Sequence, residues 1–196
     1  MKIAGYFLQN KNNLRKVIKM ENIQLRPPIY DPVAVQPMRD ELLFVGFEEL
    51  RTPQMVEDVL AKKDDKTVFL VINSVCGCAA GSARPGASLG LQHTTIPDKL
   101  VTVFAGQDRD SVDYLREKYL ANIPPSSPFM ALFKNGEVLE VIPRHHIEGR
   151  SQEDIAAFLK AIFDEHCSGK GPSIPASEYE KLVYARMCGS RIPLNQ

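Results

Sequence analysis

Two stretches of the chain, KTVFLVINS (66–74) and KLVTVFAG (99–106), are almost continuously apolar and rich in β-branched residues. Runs of this kind suit strands covered on both faces, as in a parallel sheet. Further on the pattern changes. Phe129–Phe133 reads as a strand, Asn135-Gly136 as a tight turn, and Glu137–Ile142 as the returning strand of a hairpin. Elsewhere the apolar positions fall at helical spacing. Asp31-Pro32 is a cap followed by proline at the first helical position, with Met38, Leu42 and Val45 on one face and Gly46 as a stop. Pro37 either sits within the first turns of that helix or breaks them. Thr52-Pro53 repeats the cap signature ahead of Met55, Val56, Val59 and Leu60. QDRDSVDYLREKYL (107–120) is amphipathic with acidic residues in its first turn, and Ser151 caps QEDIAAFLKAIFDEH (152–166). Phe47–Leu50 is short enough for an edge strand, and the small-residue stretch AAGSARPGASLGLQHT (79–94) predicts a helix bent or ended near Pro85. Past Gly169 and Gly171-Pro172, a capping box at Ser177 and Glu180 predicts a short helix YEKLVYARM (179–187).

This order predicts an α/β fold, a mixed sheet with helices on both faces. Its length of 196 residues supports one domain, expected over 31–167, preceded by an N-terminal arm (1–30) and followed by a C-terminal tail (168–196). The arm is expected to be partly disordered, and Met20 is a candidate true start, with Met1–Lys19 an over-extended one. Lys plus Arg and Asp plus Glu balance at 24 each, which argues against a nucleic-acid partner. No apolar run approaches the ~20 residues that span a bilayer. The stretch IAGYFL is too short for a signal peptide, so a reducing cytoplasm is the expected compartment.

In that setting the four cysteines, Cys76, Cys78, Cys167 and Cys188, change the picture. Cys76 and Cys78 flank Gly77 at the exit of a buried strand, where a helix begins. Amide N–H groups and the helix dipole there favour a thiolate, so Cys76 is the expected nucleophile. Cys78, inside the first turn and less accessible, is the expected resolving thiol. Gly77 would let residues only two apart close a disulfide. The small ring would be strained, and its potential more oxidising than that of thioredoxin. The alternative of another class is a zinc or iron–sulfur module using the cysteines with His93, His145, His146 and His166, but no second close cysteine pair supports it. His145 and His146 read as surface or packing residues. Arg84 would either orient an anionic small thiol as a substrate-binding residue or solvate a helix face. Cys167 reads as a helix-end residue, and Cys188 as a possible regulatory thiol. No G-x-G-x-x-G follows a strand, so no flavin or nicotinamide site is expected and reduction must come from outside.

The element order with a cysteine pair between strand and helix resembles the thioredoxin fold, and PFMALFKNGEV (128–138) resembles the thioredoxin stretch that opens on a cis-proline. That register implies a cis Pro128 facing the cysteines, with Ser127 offering its backbone to a substrate chain. More narrowly, INSVCGCAAGSARPG, VTVFAGQD, PPSSP and RHHIEG are together similar to the bacilliredoxin family, over roughly Asp31 to Cys167. The resemblance implies a cytoplasmic thiol–disulfide oxidoreductase that removes bacillithiol from protein mixed disulfides. Its partners would be bacillithiolated or disulfide-containing proteins, with bacillithiol as co-substrate and no bound cofactor. A more general disulfide isomerase or reductase is the alternative within this chemistry. Met1–Lys19 and the tail Ser168–Gln196 depart from the family pattern.

Overall fold

A computed structural model describes residues 24–185 and 189–195; the readings of Met1–Lys19 and Cys188 fall outside the described residues. At its centre lies β2 (Thr67–Asn73), all seven residues of which are buried. On one side β2 pairs in parallel with β4 (Lys99–Phe104), and β4 with the two-residue edge strand β1 (Glu48–Glu49). On the other it pairs antiparallel with β5 (Phe129–Lys134), which continues into β6 (Glu137–Ile142). The order β1-β4-β2-β5-β6 is the mixed, thioredoxin-like sheet expected. Asn135 and Gly136, at φ 54° and 76°, make the turn between β5 and β6, which requires the left-handed region at both positions.

Side chains alternate across β2. Phe69 and Val71 face a core built with Leu42 of α1 (Pro32–Phe44), Ala87 of α3 (Arg84–Gly90), and Leu159 and Phe163 of α6 (Gln152–His166). Val68, Leu70 and Ile72 face the opposite core, formed with Val56 and Leu60 of α2 (Pro53–Leu60) and Val112 and Leu115 of α4 (Arg109–Tyr119). The sheet is therefore sandwiched, which is why its central strand carries no polar face.

The expected caps form at three helices. Asp31 accepts from the Val33 amide, Thr52 from Met55, and Ser151 and Asp154 make a reciprocal capping box. Pro37 is accommodated within a continuous α1. The helix expected to bend near Pro85 begins as a π-helical turn, Ala79–Ala83, and becomes α-helical at Arg84. Gly86 permits α3 to lie against α6: a Cβ there would sit 2.6 Å from Ile155 Cβ.

The C-terminal segment differs from expectation. Ser177 makes no cap; the helix α7 runs Ala176–Tyr179 behind Pro175, and the chain leaves it well before Arg186. Two features draw the chain away. The Ala185 amide donates to the buried carboxylate of Glu41 at 2.7 Å, and Gly189 donates to the Val75 carbonyl at 2.6 Å. Ile192 is then buried beside Val35, Met38, Val75 and Phe104. Leu194 bridges to Tyr30, so the described parts of arm and tail form a short ribbon beside the sheet's end. Gly169–Lys170 (β7) also pairs with Thr95–Ile96 (β3), a contact between distant segments too short to carry a periodic signal.

Candidate active site

The chain leaves β2 at Asn73, and within three residues it presents Cys76 at the entrance of the Ala79–Ala83 turn. Cys76 lines an open cleft of about 250 Å³ with Tyr30, Ser74, Val75, Ser127 and Arg144. Ser127–Pro128 is a cis peptide bond directly before β5, and Phe129 pairs with Ile72 of β2. That pairing brings the Ser127–Pro128 loop beside the cysteine turn: Ser127 lines the cleft, and Pro128 is buried.

Both cysteines are free and partly exposed. What separates them is hydrogen bonding. The two sulfurs lie 2.8 Å apart. Ser74 Oγ donates to Cys76 Sγ at 3.1 Å and the Ala79 amide donates to it at 3.4 Å; neither donor reaches Cys78. Burial pushes the Cys76 thiol up, but the bonds from Cys78, Ser74 and Ala79, with the positive charge of Arg144, outweigh it and leave the pKa below the ordinary thiol value. Cys78 is raised, first by burial and then by the bond to Cys76 and its negative charge. The pair is thus polarised, with Cys76 ionising ahead of Cys78.

Gly77 was expected to give the turn its freedom. In this reduced form it is exposed, its φ lies outside the left-handed region, and a Cβ would meet nothing within 4 Å. Any need for glycine belongs to another state of the pair.

Arg84 requires a correction. It neither solvates a helix face nor reaches the cleft: only 1 % of it is exposed. Its Nε donates to Glu41 at 2.7 Å, and its Nη1 donates to the Ser74 carbonyl at 3.1 Å and to Asn73 Oδ1 at 3.2 Å. Asn73 in turn donates to the Met38 carbonyl. Arg84 thus braces the strand exit from below. A full positive charge is tolerable there because Glu41, also fully buried, neutralises it.

The cation that does reach the cleft is Arg144, at the start of α5 (Arg144–Ile147). It stands in the RHHIEG stretch, where the two histidines draw attention. Neither lines the cleft: His145 and His146 are exposed and pack edge to face, ring centroids 4.3 Å apart. Ser74 also went unremarked, though a hydroxyl two residues ahead of a cysteine at a strand exit was a readable signal. Cys167 caps the C-terminus of α6, half-buried, and burial pushes its thiol up to about 11. Among the described residues, no cluster of three or more His, Cys, Asp or Glu side chains could hold a metal ion.

A family model described as disulphide isomerase matches residues 30–167. Curated bacilliredoxins match about seven tenths of the chain. One from Salinibacter ruber is 48% identical over 143 residues, 73% of this chain and 83% of its own. One from Geobacillus kaustophilus is 52% identical over 134 residues, 68% of this chain and 91% of its own. The chain belongs to the bacilliredoxin family. A Staphylococcus aureus bacilliredoxin, 44% identical, covers 71% of this chain and 94% of its own. Solved thioredoxins are more distant. Oxidised thioredoxin from Plasmodium falciparum is 14% identical over 63% of this chain and all of that one, with a TM-score of 0.39. A Malassezia sympodialis thioredoxin is also 14% identical, with a TM-score of 0.40, over 60% of this chain and 90% of its own. As a bacilliredoxin-family member the protein is a thiol–disulfide oxidoreductase. No described helix is long and apolar enough to cross a membrane. The segment after Cys167, including the part that bonds to Glu41 and Val75, lies beyond the family match.

Proposed function

We propose that the protein strips bacillithiol from mixed disulfides on other proteins, with Cys76 as nucleophile and Cys78 as resolving thiol. The observation that carries this is the asymmetry of the pair: every non-cysteine hydrogen-bond donor to a sulfur in the turn points at Cys76. Cys76 Sγ attacks the bacillithiol sulfur. An S–S bond forms between them, the bond to the protein sulfur breaks, and its electron pair leaves with the protein as a thiolate, which takes up a proton from water.

Two routes then regenerate Cys76. In one, Cys78 Sγ attacks Cys76 Sγ, forming the intramolecular disulfide and expelling bacillithiol; an external thiol later reduces that disulfide. In the other, a second bacillithiol attacks the bound one, leaving as bacillithiol disulfide and returning the Cys76 thiolate. The first route is assisted by the adduct itself. Once Cys76 is in a mixed disulfide it carries no charge, so two of the causes that hold Cys78 protonated vanish and burial alone remains. Ser127, beside the cis Pro128, offers backbone to the chain of the modified protein at the same cleft. No bound cofactor enters the cycle, and small thiols kept reduced in a cytoplasm would supply its electrons.

The test follows deprotection of one test protein carrying either bacillithiol or glutathione, by intact-mass spectrometry. The native protein is expected to clear the bacillithiol adduct faster, Cys76→Ala to clear neither, and Cys78→Ala to accumulate the adduct on Cys76 when free bacillithiol is withheld. Equal rates on both adducts would support the general isomerase or reductase alternative instead, and activity without Cys76 would end the mechanism.

A further inference from the structure

We propose that Arg144 is a specificity-determining residue, gripping a carboxylate of an acidic low-molecular-weight thiol while that thiol's sulfur is bonded to Cys76. This rests on the reading above that a small-thiol adduct forms on Cys76, and adds what that thiol must carry.

Arg144 and Cys76 line the same cleft, and among the described residues lining it Arg144 is the one cation, with no carboxylate present. A ligand entering the cleft therefore meets a positive charge whose carboxylate partner, Glu148, lies outside the lining. The base of the side chain is fixed. The Arg144 amide donates to Ser126 Oγ at 3.2 Å, its carbonyl accepts from the Glu148 amide at 2.8 Å, and Ile147 anchors the short helix in the core. The guanidinium is tied loosely. Its side-chain partner is Glu148, at 3.3 and 3.4 Å, with both groups exposed. Such an i,i+4 surface pair is worth only about 0.3–0.5 kcal/mol. The contrast is with Arg39, which Glu49 and Asp108 hold together behind the sheet edge. Arg144 is free to change partner; Arg39 is not.

The chemistry of the cycle supplies the occasion. Arg144 shares the cleft with Cys76, which attacks as its thiolate. When the mixed disulfide forms, that negative charge departs with the released protein thiol. A carboxylate on the captured small thiol would restore the balance, and a guanidinium's planar fork suits a carboxylate better than any other side chain. A neutral small thiol would leave Arg144 with Glu148 alone.

The experiment uses one test protein with its cysteine blocked by either mercaptosuccinate or 2-mercaptoethanol. The leaving group is the same protein thiol in both, so only the captured half differs. Native enzyme is expected to clear the acidic adduct faster than the neutral one. Arg144→Gln is expected to lower the acidic rate about tenfold relative to the neutral rate, the loss of one charge-assisted contact. Arg144→Lys should recover part of that ratio, and Glu148→Gln should raise it. A merely thiolate-stabilising Arg144 would slow both reactions equally, leaving the ratio unmoved, and that result overturns the proposal. Native enzyme clearing both adducts at equal rates also overturns it, while leaving the exchange reaction standing. Failure to clear either adduct with Cys76 intact would instead strike the parent reading.

Discussion

Two arginines serve the cysteine turn from opposite sides. Arg84 lies beneath it, sealed in the core with Glu41 and bonded to the backbone where β2 ends. Arg144 stands at its rim, 44% of its side chain open to solvent, in contact with the cleft and with one loosely held carboxylate. Identical side chains do different work because their surroundings set what a charge costs. In the core a guanidinium must be matched, so its partners are fixed and it acts as a brace. At the rim water supports it, so its partner can be exchanged, which a binding group requires. The contrast can be tested by removing each charge in turn.

The largest effect belongs to Arg84→Met. It would leave the Glu41 carboxylate buried with its amide partner Ala185 but no counter-charge. Losing one member of a buried pair costs about 3–5 kcal/mol, and chemical unfolding at neutral pH should show a loss of that size. The pH dependence has a definite sign. Burial already raises the Glu41 pKa and Arg84 opposes it, so without Arg84 the carboxyl is raised further. A carboxyl raised in the folded state holds its proton where the unfolded chain has lost it. Stability therefore improves as pH falls through the carboxylate range, and the deficit against the native protein should shrink there. A deficit independent of pH would mean that Arg84 stabilises by packing rather than by charge. Glu41→Leu combined with Arg84→Met should recover much of the loss.

Next in size is Ser74→Ala, which acts on reactivity. Ser74 is held between the two regions: its carbonyl accepts from Arg84 below and its hydroxyl donates to Cys76 above. Removing the hydroxyl removes a bond that stabilises the thiolate more than the thiol, so the Cys76 pKa rises. One net hydrogen bond of about 1 kcal/mol translates into alkylation about fivefold slower near neutral pH. The rates should converge at alkaline pH, where both proteins are fully ionised. A gap that persists in alkali would show instead that the turn itself had moved. The same experiment separates brace from donor, since the Ser74 carbonyl stays in place.

How these residues are distributed explains what could be read from the chain. The strands β2 and β4, the β5–β6 hairpin and the capped helices α1, α2 and α6 were legible, because each is specified by a local period or by neighbours within four positions. The cysteine pair and the X-Pro bond were legible through motif resemblance. Arg84 was misread because nothing near it in the chain announces its partner: Glu41 lies 43 positions earlier. An arginine is almost never buried unless paired, so exposure is the natural reading until the fold brings that partner in. Arg144 was passed over for a related reason. Its relevance comes from lying across the cleft from the exit of a strand that ends at Asn73, and only the pairing of β2 with β5, followed by the turn into β6, sets that geometry. The tail was misjudged because its course follows two long-range bonds, to Glu41 and to Val75, rather than its own propensity.

The smallest effect sharpens the comparison most. Arg144→Gln should change unfolding free energy by no more than about 0.5 kcal/mol, the usual range for a surface site. Its loose pair with Glu148 stabilises little, and its amide and carbonyl bonds survive the substitution. Its charge is also the last and smallest of the influences lowering the Cys76 pKa, behind Cys78, Ser74 and Ala79. Alkylation by a neutral reagent should therefore slow less than in Ser74→Ala. A loss of several kcal/mol would place Arg144 with Arg84 as a second brace and erase the distinction between core and rim. A near-native stability, set beside the large deficit of Arg84→Met, would leave charge recognition in the cleft as the function that distinguishes the exposed arginine from the buried one.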